Sequence, residues 1–341
     1  MHSEEIDREN EIAVIIPAYN AKETIRRTLS SIAIQKLKNG VSICVHIVND
    51  GSDYSYEDII KRYKKYYKIE ELKINKNMGP GFARQFGVDN TTEKYITFID
   101  ADDCFNTPYA VQLLYDSITD NYDFVISRFA KELEDGVEII PSNYTWMHGK
   151  MINRNFLVKN DIRFNNTRVN EDLGFCQLLK FHKPKTNYIN NVTYLWCNNK
   201  ESVTRRNNCI MGYYGYKEYC YNMSWAGRIA LEKKLDKKEV TFMALYSILK
   251  MWFVYSKYYN TMDVSEILSW TKPLKDVFDI NKEEYAGKSI IDYEVAYKIR
   301  TSKKENTYIK PVISFQDFID DVAKAEYWTY NHLNNKENLY E

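Results

Sequence analysis

Three carboxylates close an apolar run in the N-terminal part of this chain, Tyr95-Ile-Thr-Phe-Ile-Asp-Ala-Asp-Asp103. A buried strand ending this way would deliver Asp100 and Asp102, spaced Asp-x-Asp, to its exposed C-terminal edge. Hard divalent cations such as Mg2+ take oxygen ligands and keep substrate phosphates in their shell. The spacing therefore suits a holder for a metal and a diphosphate. The plainer alternative is a strand that turns into solvent on acidic residues, and a short motif alone does not separate the two.

The elements around the motif favour the first reading. Ile12-Ala-Val-Ile-Ile16 is a continuous apolar run stopped by Pro17, as a strand buried on both faces requires. Ile25, Leu29 and Ile32 recur at helical spacing. Ile43 to Val48 reads as a second strand, closed by the turn formers Asn49-Asp-Gly-Ser52. Residues 57–67 suit a surface helix and Glu71 to Ile74 a short strand. Gly79-Pro-Gly81 then breaks the chain before a helix near 82–89, and a strand over 95–99 follows. Such a βαβαβ series implies a mainly parallel sheet with helices on its faces, which binds ligands at the C-terminal ends of its strands. Asp50, Asp100 and Asp102 all fall at such ends.

Farther along, Val111, Leu114 and Ile118 mark a helix and Phe124-Val-Ile126 a strand. From 146 to 212 the pattern is irregular around a helix beginning near Asn170. Beyond about 213 it is mostly helical, notably over 223–235 and 239–258, with Pro273 and Pro311 as punctuation. The expected division is 1–105 and 106–212 as two halves of one α/β domain, with 213–341 a helical region.

Composition narrows the function class. Lys plus Arg (47) equals Asp plus Glu (47), which argues against a generally basic nucleic-acid binder. The 29 Tyr, 15 Phe and 6 Trp favour a carbohydrate or a stacked-ring ligand. Six cysteines without CxxC spacing point to a reducing compartment and no structural zinc. The polar N-terminus is unlike a secretory signal. The apolar stretch Val240 to Tyr255 is shorter than the roughly 20 residues of a membrane span. A cytoplasmic protein is expected, with peripheral membrane contact or homo-oligomerisation through the C-terminal helices left open; core packing is the default for the aromatic helix 240–258.

Four segments, in order, resemble the family 2 glycosyltransferases of the GT-A fold: Val14-Ile-Ile-Pro-Ala-Tyr-Asn20, Val48-Asn-Asp-Gly-Ser-Asp53, Asn77-Met-Gly-Pro-Gly-Phe-Ala-Arg-Gln-Phe-Gly87 and Phe98-Ile-Asp-Ala-Asp-Asp103. A fifth, Val169-Asn-Glu-Asp-Leu-Gly-Phe175, is similar to the family's acidic motif on the acceptor side. The resemblance covers about residues 11–205. It implies a Rossmann-like, mainly parallel central sheet flanked by helices, here with a mostly helical C-terminal region. It also implies an inverting enzyme that uses a nucleotide sugar and Mn2+ or Mg2+.

By this resemblance, Pro17, Ala18 and Tyr19 line the nucleotide pocket and Asp50 reads the nucleobase edge. A carboxylate only accepts hydrogen bonds, so Asp50 suits the N–H of uracil. The family often has two acids before Gly-Ser; here the first is Asn49, which loosens the link to uridine. Gly79 and Gly81 let the backbone approach a ligand, Arg84 lies near the sugar and diphosphate, and Asp100 and Ala101 contact the donor. Asp102 ligates the metal, with Asp103 in support. Asp172 is the general base, ionised in the first turn of a helix capped by Asn170, while Glu171 positions the acceptor or its loop. Trp146, His148 and Lys150 line the acceptor cleft, and Ser202, Thr204 and Arg205 close over the diphosphate. For each of these residues a structural role is the alternative: strand terminator, Asx turn, surface arginine, helix cap or solvated loop.

The acceptor is expected to be a glycan, a lipid-linked saccharide or a polymer. Hydroxymethylated bases of a nucleic acid are a less favoured acceptor, and would need Lys36, Lys38, Arg205 and Arg206 to form a groove. A catalytically inactive nucleotide-sugar-binding protein is the rival of another class. A nucleotidyltransferase would open on a Gly-rich triphosphate loop, which does not follow Ile12 to Ile16. Processive polysaccharide synthases carry Gln-x-x-Arg-Trp and spanning helices, and neither is found in this sequence.

Overall fold

A computed structural model of the chain describes residues 11–118, 122–199, 210–280, 282 and 311–328. Two compact units divide it, Met1–Arg205 and Arg206–Glu341.

In the first unit, β1 (Glu11–Ala18), β2 (Ser42–Asp50), β3 (Lys68–Ile74) and β4 (Tyr95–Phe98) pair in parallel, in the order β3-β2-β1-β4. The continuous apolar runs of β1 and β2 follow from burial on both faces. On one face Ile12, Val14, Ile16, Ile43, Val45 and Ile47 form a core with Ile25 and Leu29 of α1 (Ile25–Ala33) and Leu114 of α4 (Ala110–Ile118). On the other, α3 (Pro80–Asp89) lies so close that a Cβ on Gly87 would stand 2.5 Å from Ile15 Cγ2. A short helix, α2 (Glu57–Tyr63), precedes β3. This packing fixes the sheet edge where Ala18, Asp50 and Ile99 leave their strands.

Past β4 the sheet becomes mixed. β8 (Lys150–Asn153) is antiparallel to both β4 and β6 (Phe124–Glu132), while β9 (Thr186–Trp196) runs parallel to β6. β5 (Cys104–Phe105) returns antiparallel to β9, and β7 (Val137–Ile140) pairs with β6. Helices α5 (Arg154–Asn160) and α6 (Glu171–Phe181) fall between β8 and β9. Residues 146–199 thus carry two strands that an irregular pattern concealed. β9 reads Thr-Asn-Tyr-Ile-Asn-Asn-Val-Thr-Tyr-Leu-Trp, is mostly half-exposed, and opposes a bulge near Arg128, so no clean alternation survives. Its last residues lie against β5 and bring the end of β9 beside the acidic loop.

The described part of the second unit is helical: α7 (Ile210–Glu232), α8 (Lys237–Tyr258), α9 (Ser265–Asp279) and α10 (Phe315–Lys324). Asp236 caps α8 by accepting from the amides of Lys238 and Glu239. α8 is buried along most of its length, so the aromatic helix packs as core, with Trp252 donating from Nε1 to the Ile313 carbonyl at 3.0 Å. Pro273 does not interrupt the pattern but sits buried inside α9. Among the described residues, no helix is long and apolar enough to cross a membrane.

One contact sets how close α3 comes to the start of α6. A Cβ on Gly81 would stand 2.3 Å from the Asn165 carbonyl oxygen and 3.0 Å from Glu171 Cβ. Backbone cannot yield as a flexible side chain can, so Gly81→Ala is expected to cost about 1–3 kcal/mol. A lowered urea midpoint at unchanged m-value would register it.

Candidate active site

Asp50, at the end of β2, is 3% exposed. Its two oxygens accept from the backbone amides of Met78 and Gly79, each at 2.8 Å. Burial raises its pKa and these two amides pull it back. Gly79 takes a φ of +92, open to glycine at little cost, and thereby turns its N–H toward the carboxylate. Asn49 fixes the turn after β2: Nδ2 donates to the Tyr54 carbonyl and to Glu71, and Oδ1 accepts from Ser52 N. Ser52 Oγ in turn accepts from Asn20 N at 2.9 Å. Pro17 and Ala18 end β1 beside this turn, and Tyr19 stands 49% exposed at the sheet edge. The close approach at Gly81 is to protein, as described above.

The three acids after β4 diverge. Asp100 is partly exposed, and its Oδ1 accepts from Arg84 Nη2 at 2.7 Å. Asp102 Oδ2 accepts from Asn199 Nδ2 at 2.8 Å, and Arg27 grips the Asp102 carbonyl at 2.9 Å. Burial and the neighbouring Asp100 both raise the Asp102 pKa. Asp103 turns inward, where it accepts from the Tyr194 hydroxyl at 2.6 Å and the Cys197 amide at 2.8 Å. Ala101 is buried between them.

Arg84 reaches the facing side as well. It is 5% exposed, and Nη1 donates to Glu171 at the first position of α6 while Nη2 holds Asp100. Asn170 stands at the N-cap with a left-handed φ of 59. Asp172, next on the helix, accepts from its neighbour Leu173 N at 2.7 Å. Burial lifts the Asp172 pKa to about 6, against the pull of Arg84; burial raises Glu171 too, again opposed by Arg84.

His148 lies flat against Tyr194, ring centres 4.6 Å apart, with Trp146 and Trp196 also around it. Burial drives its pKa down to about 3, so the ring is neutral, and Nδ1 has no hydrogen-bond partner. Nε2 lies 4.0 Å from oxygens of both Asp100 and Asp103. Ligand atoms of Asp100, Asp103 and His148 all fall within 4.8 Å of one another. Lys150 is 1% exposed and turned from the cleft, donating to the Trp146 carbonyl. Ser202, Thr204 and Arg205 lie outside the described residues.

The fold thus brings Asp100, Asp102, Arg84, Glu171 and His148 together, with Asp172 beside Glu171 on α6. The sequence reading missed Tyr194, Cys197 and Asn199, which hold the acids in place. Their signal was the dense Tyr-Leu-Trp-Cys-Asn-Asn run at 194–199, mixing rings with amides.

Residues 13–169 match the family described as Glycosyl transferase family 2. The chain is 33% identical over 124 residues to EpsH of Bacillus subtilis (strain 168), which carries a glycosyltransferase name; the match covers 36% of this chain and 35% of EpsH. The chain therefore spans about a third of the length of that relative. Among solved structures, S. aureus TarS residues 1–349 in complex with UDP-GlcNAc superimpose with a TM-score of 0.65 at 14% identity, covering 79% of this chain and 81% of that one. The mannosyltransferase PcManGT of Pyrobaculum calidifontis, in complex with GDP-Man and Mn2+, gives 0.51 at 13% identity over 95% and 87% of the two chains. The fold is GT-A, and the family match lies within its N-terminal unit.

Arg84 carries the link between the two walls of the site. Truncation to alanine leaves the buried Glu171 and the partly exposed Asp100 without their shared cation and is expected to cost about 3–5 kcal/mol. Arg84→Lys keeps the charge but cannot span both acids, and should recover only part of that loss. Urea unfolding of the three proteins measures this.

Proposed function

We propose that this chain, with its family 2 glycosyltransferase domain, is a metal-dependent inverting enzyme acting in the cytoplasm. It transfers a hexosyl or pentosyl group from a nucleotide sugar, most fittingly a UDP-sugar, to a hydroxyl of a glycan, lipid-linked saccharide or polymer. The observation that carries the reading is the Arg84 bridge, which sets the acidic loop after β4 opposite the helix start that bears Asp172. The UDP-GlcNAc held by TarS and the GDP-Man with Mn2+ held by PcManGT support the donor class.

The acidic loop fits a divalent cation. Its free oxygens are hard donors, and burial together with mutual repulsion raises the Asp102 pKa, a cost that a cation offsets. Asp102 would hold Mn2+ or Mg2+. When bound, the ion offsets charge on the departing diphosphate.

The chain's own groups do the rest. Pro17, Ala18 and Tyr19 border the base, and Asp50 offers remaining lone pairs to its N–H. Asp100 and Ala101 meet the ribose or sugar, and Ser202, Thr204 and Arg205 cover the diphosphate. Arg84 acts through Asp100 and Glu171 as a positioning residue. Trp146 and the neutral His148 border the acceptor, and Lys150 supports them from behind through the Trp146 carbonyl. Asp172 takes the proton of the acceptor hydroxyl while its oxygen bonds to the anomeric carbon. The bond to the diphosphate breaks on the opposite face, its electron pair leaves with the diphosphate, and the anomeric centre inverts.

Incubating the full chain with a panel of nucleotide sugars, with and without Mn2+, tests the reading by thermal shift and release of nucleoside diphosphate. Stabilisation by a UDP-sugar and Mn2+-dependent release are expected; no response to any nucleotide sugar overturns it. EDTA or Asp102→Ala should abolish release, with added Mn2+ restoring only the unaltered protein. Asp172→Asn should lower kcat by about 10²–10⁴-fold while leaving the donor-induced thermal shift intact. A base works only when deprotonated, so with a pKa near 6 the rate should climb between pH 5 and 7 and then level off. The same profile measured with Asp172→Asn should lose that limb.

A further inference from the structure

Away from the acidic loop, Cys44, His46 and Glu93 form a second group whose ligand atoms all lie within 4.8 Å of one another. All three residues are buried. Cys44 and His46 are two apart on β2 and so share one face of the sheet. Glu93 enters from the segment between α3 and β4. Six residues separate Cys44 from Asp50, roughly 20 Å along an extended strand, so the group sits at the opposite end of the sheet from the catalytic acids.

The imidazole of His46 is the informative part. Nε2 lies 3.0 Å from Glu93 Oε1, and Nδ1 lies 2.7 Å from Oε1 of Glu70, its register partner on β3. A neutral imidazole has one N–H donor, yet two carboxylates converge on this ring. Nδ1 is buried and makes no hydrogen bond, because the Glu70 oxygen has the distance but not the direction for one. The Cys44 thiol also turns to Glu93, and burial with that carboxylate keeps the thiol protonated. Glu93 Oε2 accepts from the Thr92 amide at 2.9 Å, which fixes the carboxylate in place.

We propose that Cys44, His46 and Glu93 bind a zinc ion, with the imidazole ligating through Nε2 and Glu70 standing outside the coordination sphere on the Nδ1 side of the ring. One thiolate, one imidazole and carboxylate oxygens are the mixed donor set that Zn2+ accepts in tetrahedral sites, whereas Mg2+ and Ca2+ prefer oxygen alone. Three protein donors from β2 and the lead-in to β4 hold the ion, so it ties these two segments together away from the acidic loop. Binding displaces the thiol proton to solvent. This site is independent of the glycosyltransferase reading.

Metal analysis of the full chain, purified with Zn2+ and dialysed against EDTA long enough to strip the acidic loop, should find about one zinc per chain. Asp102→Ala should keep it. Cys44→Ser and Glu93→Gln should each weaken zinc binding by at least the ~10–100-fold that loss of an outer-shell partner costs. Replacement by Co2+ in the unaltered protein should give thiolate-to-cobalt charge-transfer absorption, a readout that does not depend on how the variants fold. Absence of both retained zinc and that absorption overturns the proposal. Zinc retained equally by Cys44→Ser overturns it as well.

Discussion

The guanidinium of Arg84 is the joint on which the site depends. One nitrogen holds Asp100 on the loop after β4, another holds Glu171 at the head of α6, and the residue is almost wholly out of water. Phe164 lies under it, 6.0 Å from the guanidinium carbon, and is itself flanked by Phe98 and by Phe175 stacked at 3.9 Å. These rings exclude solvent and strengthen the pairing. Burying three charges carries a desolvation penalty that rivals the attraction gained. The arrangement therefore contributes geometry more than stability: Arg84 and Glu171, 87 residues apart, are held at one fixed spacing.

A second constraint divides labour among the three acids. The Tyr194 hydroxyl donates to Asp103 and accepts from the Asp100 amide, the Cys197 amide closes on Asp103, and Asn199 reaches Asp102. The end of β9 thus behaves as a clamp behind the loop. Asp103, spent on this clamp, steadies the turn that presents the other two acids. His148 packs on the same tyrosine ring, so the clamp and the aromatic wall share one residue.

Legibility in the sequence followed locality. β1, β2 and β4 were readable because strands buried on both faces are apolar throughout, and the acids at their ends stand out by contrast. Asp50 and Asp102 were found for that reason. The inward turn of Asp103 was hidden, because its partners lie 91 and 94 residues away on a strand whose own pattern is broken by asparagines and a bulge. Arg84 was found as an arginine near the site, but its two acidic partners emerge only in three dimensions. Lys150 read as a cleft residue, since nothing local says that its ammonium turns back to the carbonyl of Trp146. The proposed zinc ligands escaped the search for paired cysteines, because one thiol and one ring on β2 and one carboxylate ahead of β4 leave no spacing to read.

The grip of Asp50 on Met78 and Gly79 has a further consequence for how this scaffold can diversify. Gly79 is the N-cap of α3, and Arg84 lies on the same ten-residue helix. The residue proposed to face the nucleobase is thus also the anchor of the rod that carries the guanidinium. Replacing Asp50 removes two acceptors from the loop that seats that rod, so the disturbance propagates to Asp100 and Glu171. On the proposed roles, donor preference and turnover are mechanically entangled. On those roles, a lineage changing its nucleotide through Asp50 would have to re-anchor α3 at the same time.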